Sequence, residues 1–515
     1  MTTVQLNVLV LGVCVVLLAA VVAVRVSSRS GMPGLLLYLG IGMLLGESGL
    51  GIRFDDDNLA YNLATIMLVV LLIDGGFTTN WNDLKPVVLR SGLLASLGVV
   101  VSVAVTAALA VLILGVEWRI AILLGGMVSS TDAAATFAVL RRLPIKKRIR
   151  AQLEGESGFN DAPAIVIVSV VVSDAWTQSS PLAMVGQGIY ELIGGAIVGL
   201  VIARIGQVLL SRVSLPSAGL YPLAVLAIAM TAFATAGVLH TSGLLASYAA
   251  GLWLGNRALP HQRTTEGFTE SLGWLAQIGL FIMLGLLASP SEIPAAVVPA
   301  LVIGLALTFV ARPLSVAICL TPFRTGWREQ AFMSWAGLRG AVPIMLATIP
   351  ATAGLPRASH LFHIIFVLVI VLTLIQGPTL PRVARLTGVT EELAPSEVEF
   401  DSSPLEGLNV MLLQFVVPTG SHLSGMYVSD LRLPRGVALS MLVREKKVSI
   451  PEGTTRLKAE DRLLLAVPAG VLVQTQNRLR LLSRHGHLAR WIASGHNRVR
   501  IAGADHVPDR RRTPH

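Results

Sequence analysis

Long apolar runs fill residues 1–386 of this chain, and a run of about 17 or more such residues is long enough to cross a bilayer as a helix. They fall at 4–24, 33–50, 58–77, 87–115, 119–140, 152–174, 184–210, 220–239, 242–257, 270–288, 295–320, 329–350 and 361–381, roughly thirteen spans. Charged residues are only 14% of the 515, and hydrophobic residues 53%, whereas a soluble domain carries about 25% charged residues. That balance excludes an ordinary soluble enzyme, a disordered chain and a secreted disulfide scaffold. No ladder of short alternating strands runs through the spans, which argues against a β-barrel. The expectation is an all-α polytopic membrane protein with a small appended domain.

The loops fix an expected orientation. One alternating set holds Arg25, Lys85, Arg90, Arg141 to Arg150, Arg212, Arg257, Arg263, Arg324, Arg328, Arg382 and Arg385. The other holds Asp55 to Asp57, Glu117, the cation-free 175–183 and Glu292. The positive-inside rule places the first set in the cytoplasm. The N-terminus is then outside and the C-terminus inside, which requires an odd number of spans. The net charge of +10 is read as this topological signal, in contact with membrane lipid, and not as nucleic-acid binding. Cys14 and Cys319 lie in separate apolar runs and read as packing residues.

Composition changes after residue 386. The acidic, Pro-containing 387–406 reads as a linker. Residues 407–470 carry strand-like runs at 408–417, 437–444 and 462–467, separated by Pro/Gly turns, which suggests a small cytoplasmic α+β module. A helix and a basic tail are expected over 471–515.

Ionisable and polar groups inside spans are costly and usually functional. In the fifth span, Gly125-Gly126 and Ser129-Ser130-Thr131-Asp132 weaken a helix at its middle. In the twelfth, Gly337-Leu338-Arg339-Gly340-Ala341-Val342-Pro343 do the same. If spans 1–6 and 8–13 are inverted repeats, these interruptions fall in corresponding spans, a pointer to a transport site. The sixth span begins Glu154-Gly155-Glu156-Ser157-Gly158-Phe159-Asn160-Asp161. Glu156 and Asn160 share a helix face, as do Ser157 and Asp161. Such oxygen ligands, together with Thr131 and Asp132 of the fifth span, are read as an ion-binding and proton-carrying set that suits a proton or a monovalent cation at Asp161. Arg339 needs an anionic partner, and Glu156 or Asp132 is the natural one. Asp74 reads equally as a site residue or a helix-end residue. His240 and His363 read as helix-end or packing residues. No phosphate-binding loop, potassium-filter motif, metal-ligand cluster or nucleophile constellation is present. An enzyme and a cofactor are therefore not expected.

These motifs resemble the NhaP-type monovalent cation/proton antiporters over most of residues 1–385. The resemblance rests on Ser130-Thr131-Asp132, on Glu154 to Asp161 and on Gly337 to Ala341, with Ala133 standing where many relatives have proline. It implies that Asp161 carries the cation or proton, that Glu156, Ser157 and Thr131 form or hold the site, and that Arg339 pairs with Glu156. It also implies a homodimer. Residues 431–463 resemble the TrkA-C (RCK C-terminal) regulatory domain through Leu431 to Val437, Ile450 to Thr454 and Ala459 to Leu463. A nucleotide is a candidate ligand there. The combination resembles the cell-volume-regulation potassium/proton antiporters of bacterial inner membranes. Electroneutral exchange of K+, or Na+, for H+ is then expected, because position 160 is Asn and not a second acid. A Na+-selective antiporter and a ligand-gated channel or sensor are the alternatives.

Overall fold

In lipid a helix satisfies every backbone group within its own segment, and the apolar runs adopt it. The computed structural model describes residues 2–30, 33–47, 49–52, 56–132, 135–136, 145–173, 175–178, 180–257, 259–390, 400–404, 410–445 and 447–486. Residues 137–144, the acidic stretch 391–399 and the tail 487–515 lie outside these residues. The chain divides into two compact units, Met1–Glu391 and Glu392–His515.

The first unit contains α1 (Thr3–Ser30), α2 (Gly34–Leu45), α3 (Asp57–Thr78), α4 (Val88–Leu114), α5 (Trp118–Ser129) and α6 (Lys147–Val172). It continues with α7 (Pro181–Arg212), α8 (Leu220–Val238), α9 (Gly243–Gly255), α10 (Gln262–Leu286) and α11 (Ile293–Phe323). It ends with α12 (Trp327–Trp335), α13 (Ala341–Thr352) and α14 (Ala358–Thr387). Among the described residues, 8 helices are long and apolar enough to cross a membrane, namely α3, α4, α6, α7, α8, α10, α11 and α14. Shorter apolar helices occupy the other expected runs. Side-chain caps start several of them. The Asp56 carboxylate accepts from the Leu59 N–H at 2.9 Å, and Ser242 accepts from Leu245 at 3.3 Å.

Glycines set how closely the helices cross, since small residues let backbones approach. Where α2 meets α10, a Cβ on Gly42 would stand 2.1 Å from the Ile282 carbonyl oxygen, and one on Gly285 would stand 2.4 Å from that of Leu39. Where α3 meets α9, a Cβ on Gly255 would stand 2.0 Å from the Phe77 oxygen. Large apolar side chains of α1 and α7 face outward, among them Leu11, Leu18, Leu182 and Ile205, as a lipid-facing surface requires.

The second unit is an antiparallel sheet in the order β1-β2-β5-β3-β4. Its strands are β1 (Phe400–Pro404), β2 (Val410–Val416), β3 (Ala438–Arg444), β4 (Lys447–Ser449) and β5 (Arg462–Pro468). Leu413, Phe415, Leu463 and Leu465 form its core with Leu479 and Leu482 of α15 (Leu472–His485). Asp461 is fully buried and receives Arg444 through both carboxylate oxygens, at 2.7 Å each, plus the Lys458 N–H. That carboxylate holds the Arg444 guanidinium above its ordinary value. Two boundaries differ from the sequence expectation. The stretch expected to be linker contributes β1, because pairing with β2 satisfies its backbone. The module also runs past residue 470, because α15 buries an apolar face on the sheet.

Gly285→Val should lower the melting temperature, since overpacking costs about 1–3 kcal/mol. Gly267→Ala on the same helix, where a Cβ meets nothing within 4 Å, should not. Equal melting temperatures in a detergent thermal-shift assay would refute the α2–α10 crossing.

Candidate functional site

The hydroxyl-rich end of α5 leaves the helix where its sequence weakens it. Ser129 donates back to the Gly126 carbonyl at 2.7 Å, and Ser130 is extended at φ −64° and ψ 144°. Side chains of this type compete with the backbone for its own hydrogen bonds. The twelfth span breaks too. Its α12 stops at Trp335, residues 336–340 are non-helical, and α13 starts at Ala341.

The two breaks cross. The Asp132 N–H donates to the Leu338 carbonyl at 2.8 Å, and Thr136 Oγ1 donates to the Ala336 carbonyl at 2.9 Å. In return Arg339 Nη1 donates to the Ser130 carbonyl at 2.8 Å. A Cβ on Gly340 would lie 1.9 Å from Asp132 Oδ2, so only glycine fits there. The exchange has an electrostatic logic. Interrupted helices expose carbonyls at one end and N–H groups at the other, equivalent to partial charges. Arg339 sits at the carbonyl end of α5. The Asp132 carboxylate lies beside Gly340, which caps the N-terminus of α13, and accepts from Ala135 at 3.1 Å.

Against this crossing lies α6. Asp161 is about four turns into the helix and accepts a hydrogen bond from Ser130 Oγ. Asn160 Nδ2 donates to Thr131 Oγ1 at 2.6 Å, and Ser157 Oγ donates to the Thr131 carbonyl at 2.8 Å. Asp161, Asn160 and Thr131 are buried. The Asn160 Oδ1 is a buried acceptor with no donor among the described residues. Inside α6, Pro163 has no N–H for the preceding turn. Carboxylate, hydroxyl, amide and carbonyl oxygens thus converge around Asp161, a donor set that suits a hard cation or a proton.

The expected partner of Glu156 is corrected. Glu156 pairs with Arg312 of α11, and both are buried. Arg339 instead engages the Ser130 carbonyl. Arg312, which directly follows a π-helical turn at Leu307–Ala311 of α11, is the one that reaches Glu156, whereas Arg339 is held by the crossing. Arg312 also donates to the Met333 carbonyl at 3.3 Å. Sequence reasoning passed over Arg312, although an arginine inside the apolar run 295–320 is the same signal that singled out Arg339.

Asp74 lies apart from the residues that touch Asp161. Its carboxylate faces Gly273 of α10, where a Cβ would stand 2.7 Å from Oδ2, with Thr269, Glu266 and Glu270 nearby. His363 is a buried packing residue: Nε2 accepts from the Ser289 N–H at 2.9 Å, and Nδ1 lies 2.7 Å from the Ser359 carbonyl.

Comparison with known proteins gives consistent matches. The family described as the transmembrane sodium/hydrogen exchanger matches residues 16–386, and the TrkA-C domain matches residues 412–480. The chain is 36% identical over 479 residues to a protein of Alkalimonas amylolytica named K(+)/H(+) antiporter NhaP, covering 90% of this chain and 82% of that one. It is 35% identical over 447 residues to the Shewanella oneidensis protein named K(+)/H(+) antiporter NhaP2, covering 85% and 77%. The solved sodium proton antiporter MjNhaP1 from Methanocaldococcus jannaschii shares the fold, with a TM-score of 0.64 at 23% identity, over 74% of this chain and 99% of that one.

Removing one partner of a buried pair costs about 3–5 kcal/mol. Arg312→Ala and Glu156→Ala should each lower stability by that order, and the double variant should lose less than the sum. Strict additivity in a double-mutant cycle would mean the two do not interact.

Proposed function

Since this chain belongs to the sodium/hydrogen exchanger family, we propose that it exchanges K+ for H+ by alternating access, with Asp161 as the shared carrier. The observation that carries this reading is the buried Asp161 carboxylate placed against the crossing of two broken helices, among oxygen atoms of Ser130, Thr131, Ser157 and Asn160. A charged group at this depth is expensive when bare. Binding either a proton or a monovalent cation removes the net charge, and the two compete for one carboxylate. The occupied forms therefore move between the two sides more readily than the empty one, which couples the fluxes. Asn160 in place of a second acid makes the exchange one for one and electroneutral.

The names of the two relatives support K+ as the transported ion, and Na+ is the competing substrate. Glu156 with Arg312, and Arg339 with Asp132, act as positioning residues, and Asp74 remains outside the assigned machinery. The chain is proposed to work as a homodimer in a bacterial inner membrane, with its N-terminus outside. The TrkA-C module is placed in the cytoplasm, where a nucleotide would be its ligand, in the service of cation, pH and cell-volume homeostasis. Residues 1–386 are the transport domain and the module regulates them.

Asp161→Asn should abolish exchange without unfolding the protein, since it keeps the shape and deletes the titrating charge. The measurement is dequenching of a pH dye in proteoliposomes on addition of K+, Na+, Li+ or Rb+. Cation-dependent proton movement by this variant at the wild-type rate would remove Asp161 from the mechanism, and a response to Na+ alone would overturn the choice of K+.

A further inference from the structure

The chain that leaves the last transmembrane helix does not go free into the second unit. At the end of α14, Gly388 takes a left-handed conformation at φ 67°, and the Val389 N–H turns back to the Ala384 carbonyl at 3.2 Å. Val389 is then fully buried in the core of the first unit. Its carbonyl accepts the Lys146 N–H at 3.1 Å, and Thr390 forms an antiparallel bridge with Ile145. Lys146 is the N-cap of α6, and the Ile149 N–H donates to its carbonyl at 2.9 Å. So Val389 and Thr390, shortly before the second unit begins at Glu392, are stitched, backbone to backbone, onto the start of the helix that carries Glu156, Ser157, Asn160 and Asp161.

Other bonds make this end of α6 a point of mechanical control. Arg148 in its first turn pairs with Glu329 of α12, the first half of the broken twelfth span. Ser91 of α4 donates to the Gln152 carbonyl at 3.0 Å. The stitched start and the site residues through Asp161 thus lie on one continuous helix, α6.

We propose that the cytoplasmic module governs exchange through this stitch: a displacement of Thr390 biases the position of α6, and with it the two states of the carrier. The proposal deepens the reading of Asp161 as carrier and rests on it. Coupling of this kind needs an element that both sites bias, and α6 is that element.

Lys146 offers a clean way to cut the stitch. Its φ of −48° is near the value that proline's ring imposes, and its N–H is the one that bonds the Val389 carbonyl. Lys146→Pro therefore deletes that N–H together with the side chain, while Lys146→Ala deletes the side chain and keeps the bond. Exchange would be measured across the pH range, in matched proteoliposomes, for the full-length protein, both variants and a chain ending at Thr390. Lys146→Pro should show the same shift in pH profile as the shortened chain, and Lys146→Ala should follow the wild type. A Gly-Ser-Gly insertion after Thr390, which lengthens the connection but leaves every bond of the stitch available, should reproduce the Lys146→Pro profile and decides the matter if the proline variant does not fold. The inference is overturned if Lys146→Pro or the insertion retains the full-length profile, or if the shortened chain behaves as the full-length one. Asp161→Asn in the same assay separates the two ideas: exchange that persists in it defeats the carrier assignment, whereas Asp161-dependent exchange with module control intact in Lys146→Pro defeats only the stitch.

Discussion

Two helices that stop inside the membrane can coexist only if the backbone groups they release find partners there, and this constraint organises the transport unit. No water competes for those groups in the hydrocarbon region, and an unsatisfied one costs several kcal/mol. The fifth and twelfth spans meet it by trading: Asp132 binds the Leu338 carbonyl and Arg339 binds the Ser130 carbonyl. Each break supplies the charge that the other's helix end requires. Everything near Asp161 depends on that trade, because Ser130 and Thr131, the residues it orients, are the ones that Asp161, Asn160 and Ser157 touch. Gly340 is what permits the approach, since any side chain there would occupy the space of the Asp132 carboxylate.

A second layer steadies this one. The spans that precede the two breaks each contain a π-helical turn, Leu94–Gly98 in α4 and Leu307–Ala311 in α11. They pack reciprocally: the turn of α4 lies against the part of α11 that follows Arg312, and the turn of α11 lies against the later part of α4. Such turns are often found at functional sites. The one in α11 immediately precedes Arg312, whose charge is matched by Glu156 on α6. Burying an ion pair is a weak source of stability. Its use here is positional, because it fixes the helix that carries Asp161 to the helix beside the second break.

The second unit is held by different physics. It has a conventional apolar core between one face of a sheet and α15, with a buried carboxylate, Asp461, satisfied by Arg444 and by the Lys458 backbone. The connection to it follows residues whose own backbone is bonded to the start of α6.

Much of this was legible along the chain, since hydropathy and helix-breaking residues act locally. The apolar runs locate the helices to within a few residues. The Ser-Thr-Asp and Gly-Leu-Arg-Gly motifs locate the two interruptions, and the i, i+4 spacing puts Ser157 with Asp161 and Glu156 with Asn160. The Pro/Gly turns bound β2, β3 and β5. The sequence was silent wherever the answer depended on which distant segments pack together. Glu156 and Arg312 are 156 residues apart, and nothing local chooses Arg312 over Arg339 as the partner; the placement of α11 in the folded unit does. Asp74 reads equally as a site residue or a helix-end residue along the chain, and only packing sets its carboxylate against Gly273. The strand in the expected linker becomes visible only through its pairing with β2. The bridge between Ile145 and Thr390 follows no hydropathy signal, because backbone groups are the same in every residue and only the tertiary structure brings two of them together.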